Sequence, residues 1–533
     1  MPRLTANQSP PEGYYAENLT AVINTVRDQY EDLLSAEESK FADCTLGLST
    51  PALRLLARLL SRTKSYIRID SLSYADVVDV SAALEELSET EMIRINADGD
   101  CGEILDLLTV AELKSSFSHQ NLKGRKSELI DAIKSEEDDV AIRRRVCERY
   151  PWLSVTSTEQ FAFFCLLFFG NSMQRLDEFV IRDLGLTRFE DYEMDPAFRL
   201  FRTRRAIDRY QDLNELAEQV ETLGQTVSPD EANSIYTAIG DREEDRVFEW
   251  RRSRVLNVLG RNLERAKQHE LALRCYRNST THPARERTMR ILKKDGRSEE
   301  LERVRSAILK APRSYEEQAF AHRFGRSKSS RQEIEIRTWV AAVEDSQKIE
   351  LFAAQLLVAE GSQAWHLENL LPNGLFALAY WDWLFAPVHG AFVNPFQASP
   401  LDLYSPEFFD VRQRICSDPL AEPSELKTRI LSISERKRGI SNHLVAWSVL
   451  TPSLLRSVLN AITTDQLSSL LRVVIEDLRQ FRAGFPDLTV IDRNGEIAFV
   501  EIKGPGDQLR PNQRIWIERL MAARFNVYVW KFK

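Results

Sequence analysis

Apolar positions recur at helical spacing through most of the chain. Residues 53–62 (LRLLARLLSR) place Leu53, Leu56, Leu59 and Leu60 on one face of a helix. Residues 65–100 read as a small mixed unit, with a strand-like YIRI at 66–69 and two helices, compatible with a compact helical or winged-helix-like module. In 107–135 (LLTVAELKSSFSHQNLKGRKSELIDAIKS) the pattern predicts a helix from Val110, a turn near Gly124 and a second helix from Lys126. Leu113, Phe117, Leu122, Leu129 and Ile130 would share one seam. The run Phe161 to Phe169 (FAFFCLLFF) is too short to span a bilayer and predicts a buried helix. Residues 137–345 read as helix after helix, and the hydrophilic stretch 325–333 (GRSKSSRQE) as a mobile segment.

The pattern changes at Phe485. Leu488 to Asp492 is β-like, and Asn494-Gly495 is a hairpin signal because both residue types tolerate positive φ. Glu496 to Lys503 forms the return strand, Asn512 to Phe525 an amphipathic helix and Val527 to Phe532 a last strand. This β-β-α-β order predicts a small mixed sheet backed by a helix. The fold class expected is therefore multidomain and mostly α, with a C-terminal α/β domain. The divisions expected are 1–105, a helical or winged-helix-like DNA-binding region; 106–136, a helical hairpin; 137–345, a helical scaffold; and 346–533, the α/β domain.

Composition adds little to fold but narrows the compartment. The 533 residues carry a net charge of −9, which argues against nucleic-acid binding unless the 71 basic residues cluster. Basic runs do occur at 143–145, 202–205, 251–254, 293–294 and 323–331, though a solvated helix face is the ordinary use of any one of them. The six cysteines are scattered without a C-x-x-C pair, as expected in a reducing compartment. No signal-like segment opens the sequence, so a cytoplasmic protein without a membrane partner is expected.

The chemistry converges on the hairpin. Strand side chains alternate, so Glu501 and Lys503 share a face, and the hairpin returns Asp487 to the neighbourhood of Glu501. Two carboxylates repel unless a hard cation such as Mg²⁺ lies between them. The Ile502 carbonyl supplies a further oxygen. Such a cation activates water and stabilises phosphoryl charge, with Lys503 orienting the water or the phosphate.

Proline-aspartate followed by E-x-K resembles the PD-(D/E)xK nuclease superfamily. The string R-x-G-x-P-D-L from Arg482, V-E-I-K-G-P-G-D-Q-L from Val500 and Q-x-x-W from Gln513 resembles the VRR-NUC domain. The 107–135 hairpin is similar to the SAP motif, and 256–276 (LNVLGRNLERAKQHELALRCY) to one tetratricopeptide unit. That domain order resembles the Fanconi-associated nuclease family, in a bacterial-type form, as no N-terminal ubiquitin-binding Cys/His finger is seen. The resemblance implies 5′-flap endonuclease and 5′→3′ exonuclease activity on branched or flapped double-stranded DNA, in interstrand crosslink repair, with Mg²⁺ or Mn²⁺. It further implies a metal ligand at Glu368, within an upstream helix matched by 365–385 (WHLENLLPNGLFALAYWDWLF), and a role for Gln513 at the water or a phosphate. Lys123, Arg125 and Lys126, at the start of the second SAP-like helix, and Arg482 and Arg510, beside the nuclease motif, are phosphate-contact candidates. A non-catalytic DNA-binding scaffold and a four-way-junction nuclease remain as alternatives.

Overall fold

The computed structural model describes residues 13–62, 64–120, 122–171, 188–224, 227–324, 333–340 and 349–532. The stretch expected to be mobile, 325–333, lies outside the described residues except for Glu333.

The chain forms two compact units. The first comprises 1–187 and 194–204, the second 188–193 and 205–533. In the first unit, the helix Thr50–Leu60 starts with Pro51 after Ser49, whose side chain accepts from the Ala52 N–H. Leu55, Leu56, Leu59 and Leu60 are buried, while Leu53 stays half-exposed. Strands β1 (Tyr66–Arg68), β2 (Ile93–Ile95) and β3 (Trp152–Val155) make an antiparallel sheet in the order β1-β3-β2. The apolar run 161–169 falls in the buried helix Thr158–Phe169.

The SAP-like hairpin follows its sequence closely. Thr109 and Glu112 form a reciprocal capping box at the first helix, Val110–Ser116. Gly124 makes the turn at φ 114°. The second helix spans Lys126–Glu136. Leu113, Phe117, Leu129 and Ile133 are buried in its core, with Leu122 and Ile130 packed at the edge.

In the second unit, the helices Arg246–Arg265 and His269–Asn278 carry the tetratricopeptide-like pattern. Gly260 is small for a reason: a Cβ there would lie 2.8 Å from the Tyr276 ring. Further helices, Ala284–Lys294, Ser298–Lys310 and Tyr315–Arg323, follow. The expectation of helix alone over 137–345 needs correction at two places, since β3 and β4 (Ile336–Trp339) interrupt it. Both are short and gain their backbone partners from distant strands.

The C-terminal sheet has five strands, in the order β4-β8-β7-β6-β5, with β5 at Gln363–His366, β6 at Leu488–Ile491, β7 at Ile497–Lys503 and β8 at Asn526–Phe532. Pairing is antiparallel for β5/β6 and β6/β7, and parallel for β7/β8 and β8/β4. The hairpin turn uses positive φ at Gly495 alone, 83°. The Asp492 carboxylate accepts from the Asn494 and Glu496 N–H groups at 2.8 and 2.9 Å. The helix Ile349–Ala359 covers one sheet face through Ala353, Ala354 and Leu357 against Leu488, Val490, Val500 and Ile502. On the other face the helix Pro511–Ala522 contributes Trp516, 5.0 Å from Phe485, which lies 4.8 Å from Phe499.

A short strap completes the unit. Residues Arg188–Glu193 belong to it although both flanking stretches belong to the first unit. Tyr192 stacks on Phe392 at 3.9 Å and donates its hydroxyl to the Asn394 carbonyl at 2.6 Å. Glu190 pairs with Lys437 at 2.6 Å and accepts from Trp381 Nε1 at 2.7 Å. Among the described residues no helix is long and apolar enough to cross a membrane.

Candidate active site

The β6–β7 register decides which side chains meet. Thr489 pairs with Phe499 and Leu488 with Val500. Val500 and Ile502 face the helix Ile349–Ala359, so Phe499, Glu501 and Lys503 face the opposite way by the pleat. Beyond the last paired residues the ladder is continued by a side chain, as the Asp487 Oδ2 accepts from the Ile502 N–H at 2.7 Å. The hairpin therefore brings Asp487, Glu501 and Lys503 together.

Glu501 is fully buried. Its Oε1 lies 2.8 Å from the Lys503 ammonium, an ion pair that lacks good hydrogen-bond geometry, and its Oε2 has no partner among the described residues. Burial pushes the Glu501 carboxyl up to about 7, the Asp487 charge adds to the rise, and Lys503 opposes it. Asp487 is raised from its ordinary value too, first by burial, against the pull of the Ile502 N–H and Lys503. Lys503 Nζ also donates to Gln513 Oε1 at 3.1 Å. The same Gln513 oxygen accepts from the Arg510 N–H at 3.0 Å, capping the helix Pro511–Ala522. Gln513 thus ties the lysine to a helix start.

Glu368 does not lie on a helix as expected. The segment 365–385 begins as the end of β5, and Glu368 occupies a turn at φ 47° before the helix Leu370–Ala379. Strand pairing with β6 takes the place of the expected helical start. The side chain is exposed, and its charge raises both Asp487 and Glu501. Glu350, in the first turn of the helix Ile349–Ala359, also raises Asp487. In sequence Glu350 carries no distinguishing signal, because an acid in a first helical turn is an ordinary complement to the helix dipole. Asp382, the other acid in 365–385, is paired with Arg429 at 2.6 Å.

The donor set suits a hard divalent cation. A buried carboxylate oxygen without a partner is costly unless a cation takes it. The available donors, Asp487, Glu501 and the Ile502 carbonyl, are all oxygens, and Mg²⁺ needs only one or two carboxylates besides its waters. Among the described residues no three His, Cys, Asp or Glu side chains converge tightly enough to form a full protein cage.

The basic candidates divide. Arg482 is exposed, 5.0 Å from the Tyr404 ring, and Arg510 is exposed beside Gln513. Lys123 and Arg125 are exposed at the SAP-like turn, while Lys126 is half-buried and paired with Asp106 at 2.8 Å. The basic run 251–254 is largely internal: Arg252 is buried against Glu249, and Arg251 donates to the Tyr210 hydroxyl at 2.9 Å.

Known proteins match both ends of the chain. The VRR-NUC domain model matches residues 421–532, and the model of the FAN1 HTH domain matches residues 13–94. A Fanconi-associated nuclease 1 homolog from Pseudomonas aeruginosa is 28% identical over 96% of this chain and 94% of its own. The Arabidopsis thaliana homolog is 26% identical over 99% of this chain and 68% of its own. The crystal structure of paFAN1 bound to 2nt 5′flap DNA with gap superposes with a TM-score of 0.82 at 26% identity, covering 99% of both chains. A second paFAN1 structure, with 1nt 5′flap DNA, gives 0.79 at 26% identity over 98% of this chain and 99% of that one. With matches at both ends and along nearly its whole length, this chain is similar to the Fanconi-associated nucleases in sequence and in fold.

Proposed function

We propose that this nuclease cuts 5′-flapped, branched double-stranded DNA, by endonucleolytic and 5′→3′ exonucleolytic hydrolysis of phosphodiester bonds, in interstrand crosslink repair on the bacterial nucleoid. The observation that carries the reading is the buried Glu501 carboxylate, whose Oε2 lacks a partner among the described residues and lies beside a second acid. In this reading Asp487, Glu501 and the Ile502 carbonyl hold Mg²⁺ or Mn²⁺, with Glu368 and Glu350 at the rim. When bound, the cation lowers the pKa of a coordinated water and offsets charge developing on the phosphate.

The chain's own groups do the rest. Lys503 has three N–H groups. One faces Glu501 and one is donated to Gln513. The third is left for an attacking water or a phosphate oxygen, and the Gln513 bond keeps the ammonium from swinging away. Arg482 and Arg510 steady the phosphates on either side of the cut, and Lys123 and Arg125 hold a duplex arm by its backbone. Lys126, already paired with Asp106, contributes less. The flap substrate is supported by the DNA in the two paFAN1 structures.

The test is cleavage of a labelled 5′ flap in Mg²⁺ or Mn²⁺ against EDTA, with Lys503→Ala as control. Wild type cuts only with metal, while the variant binds the flap with near-normal affinity and does not cut. Full activity in Lys503→Ala, or cutting in EDTA, refutes the proposal. A protein that binds the flap and never cuts it would be a scaffold.

A further inference from the structure

Asn369 stands immediately before the helix Leu370–Ala379. Asparagine is favoured there because its side chain accepts from an N–H of the first helical turn. This one makes no such bond. Its Oδ1 accepts instead from the Phe485 N–H at 3.1 Å, and its Nδ2 donates to Glu368 Oε1 at 3.1 Å. These partners also settle which way the amide faces, since an N–H requires the oxygen and a carboxylate the nitrogen.

Two neighbouring residues here depart from local preference. Asn369 forgoes a stabilising side-chain cap. Glu368 holds φ at 47°, a left-handed conformation that is strained for a residue with a Cβ. Both departures serve contacts to the loop that carries Asp487. The Leu367 and Glu368 N–H groups both donate to the Asp487 carbonyl at 3.2 Å. One turn further on, Asn373 Nδ2 donates to the Arg482 carbonyl at 3.1 Å. The turn grips the loop backbone throughout, and among the described residues the Asn369 amide is what links that loop to the Glu368 carboxylate. An exposed carboxylate repelled by two other acids would otherwise turn out to water.

We infer that Asn369 is a positioning residue: its amide nitrogen holds the Glu368 carboxylate at the rim of the Asp487–Glu501 pair, where it stays available to a cation bound there. The inference rests on the metal-nuclease reading above. Its test is direct Mn²⁺ binding to the full chain by electron paramagnetic resonance, without turnover, alongside kcat and KM on flap DNA. Asn369→Ala removes both contacts. Asn369→Asp keeps the acceptor for Phe485 but sets a negative charge against Glu368. Both variants should bind Mn²⁺ about tenfold more weakly or worse, with kcat falling and KM for DNA unchanged. In a Glu368→Ala background, Asn369→Asp should weaken Mn²⁺ binding no further. Wild-type Mn²⁺ affinity in Asn369→Asp overturns the inference, as does a defect confined to KM for DNA. Failure of the wild type itself to bind Mn²⁺ overturns the reading beneath it as well, so the two failures are told apart.

Discussion

Replacing Glu501 by glutamine should stabilise the metal-free protein while abolishing cleavage. The carboxyl is fully buried, and its proton affinity rises from an ordinary 4.5 to about 7. A carboxylate held that way binds its proton more tightly when folded than when unfolded. Its contribution is therefore favourable at low pH and is lost as pH rises from 4.5 through about 7. At about 1.36 kcal/mol for each pH unit, the loss above pH 7 comes to about 3 kcal/mol. At pH 5 the same linkage leaves less than about 1 kcal/mol. Glutamine has no charge to bury, so in EDTA Glu501→Gln should melt several degrees above wild type at pH 8, with the gap shrinking towards pH 5. Thermal scans followed by tryptophan fluorescence across that range measure it. Saturating Mg²⁺ should narrow or reverse the order at pH 8, because a ligand at a hundred times its dissociation constant adds about 2.7 kcal/mol to the protein that binds it. A stability difference that stays constant between pH 5 and pH 8, or a less stable variant at pH 8 in EDTA, refutes the view that Lys503 only partly compensates the buried Glu501 charge.

Two further substitutions test how the site and its support are built. Gly484 sits at φ 98° with the Asn512 side chain 2.8 Å from where a Cβ would be. Gly484→Ala should shift the Asp487 loop and reduce kcat by about a hundredfold, read in single-turnover cleavage, with affinity for flap DNA kept. Arg412 is fully buried, paired with both Asp402 oxygens at 2.8 Å and donating to the Trp383 carbonyl. Arg412→Ala leaves Asp402 with only the longer 3.5 Å contact from Arg246 and should cost about 3 kcal/mol, seen as early unfolding of the second unit in hydrogen exchange; retention of wild-type protection would contradict it.

What the sequence made legible was local. The helix start at Val110, the turn near Gly124 and the E-x-K alternation each depend on residues a few positions apart, and each appears in the structure at the expected place. The missed features depend on distance along the chain. β4 and β5 are four residues each, too short to show a period, and β5 acquires its strand character by pairing Gln363 with Ile491. That pairing moved Glu368 from a helix to a turn. Glu350 carries no local mark, since only the crossing of its helix over the sheet brings its charge near Asp487. Basic runs misled for another reason. Arg252 is spent on an internal ion pair with Glu249, a use that composition cannot distinguish from an exposed patch.

The strap at Arg188–Glu193 bears on how the nuclease half could be moved or inherited as a module. A fragment beginning at Arg205 would keep every strand of the C-terminal sheet, yet leave Phe385 and Phe392 without Tyr192 stacked over them, and Lys437 without Glu190. The unit is thus assembled from two separate pieces of polypeptide, and recombination at the obvious boundary would cut away part of its own surface. A transplantable version must carry the six strap residues with it, even though the chain departs to the other unit and returns before the main body begins.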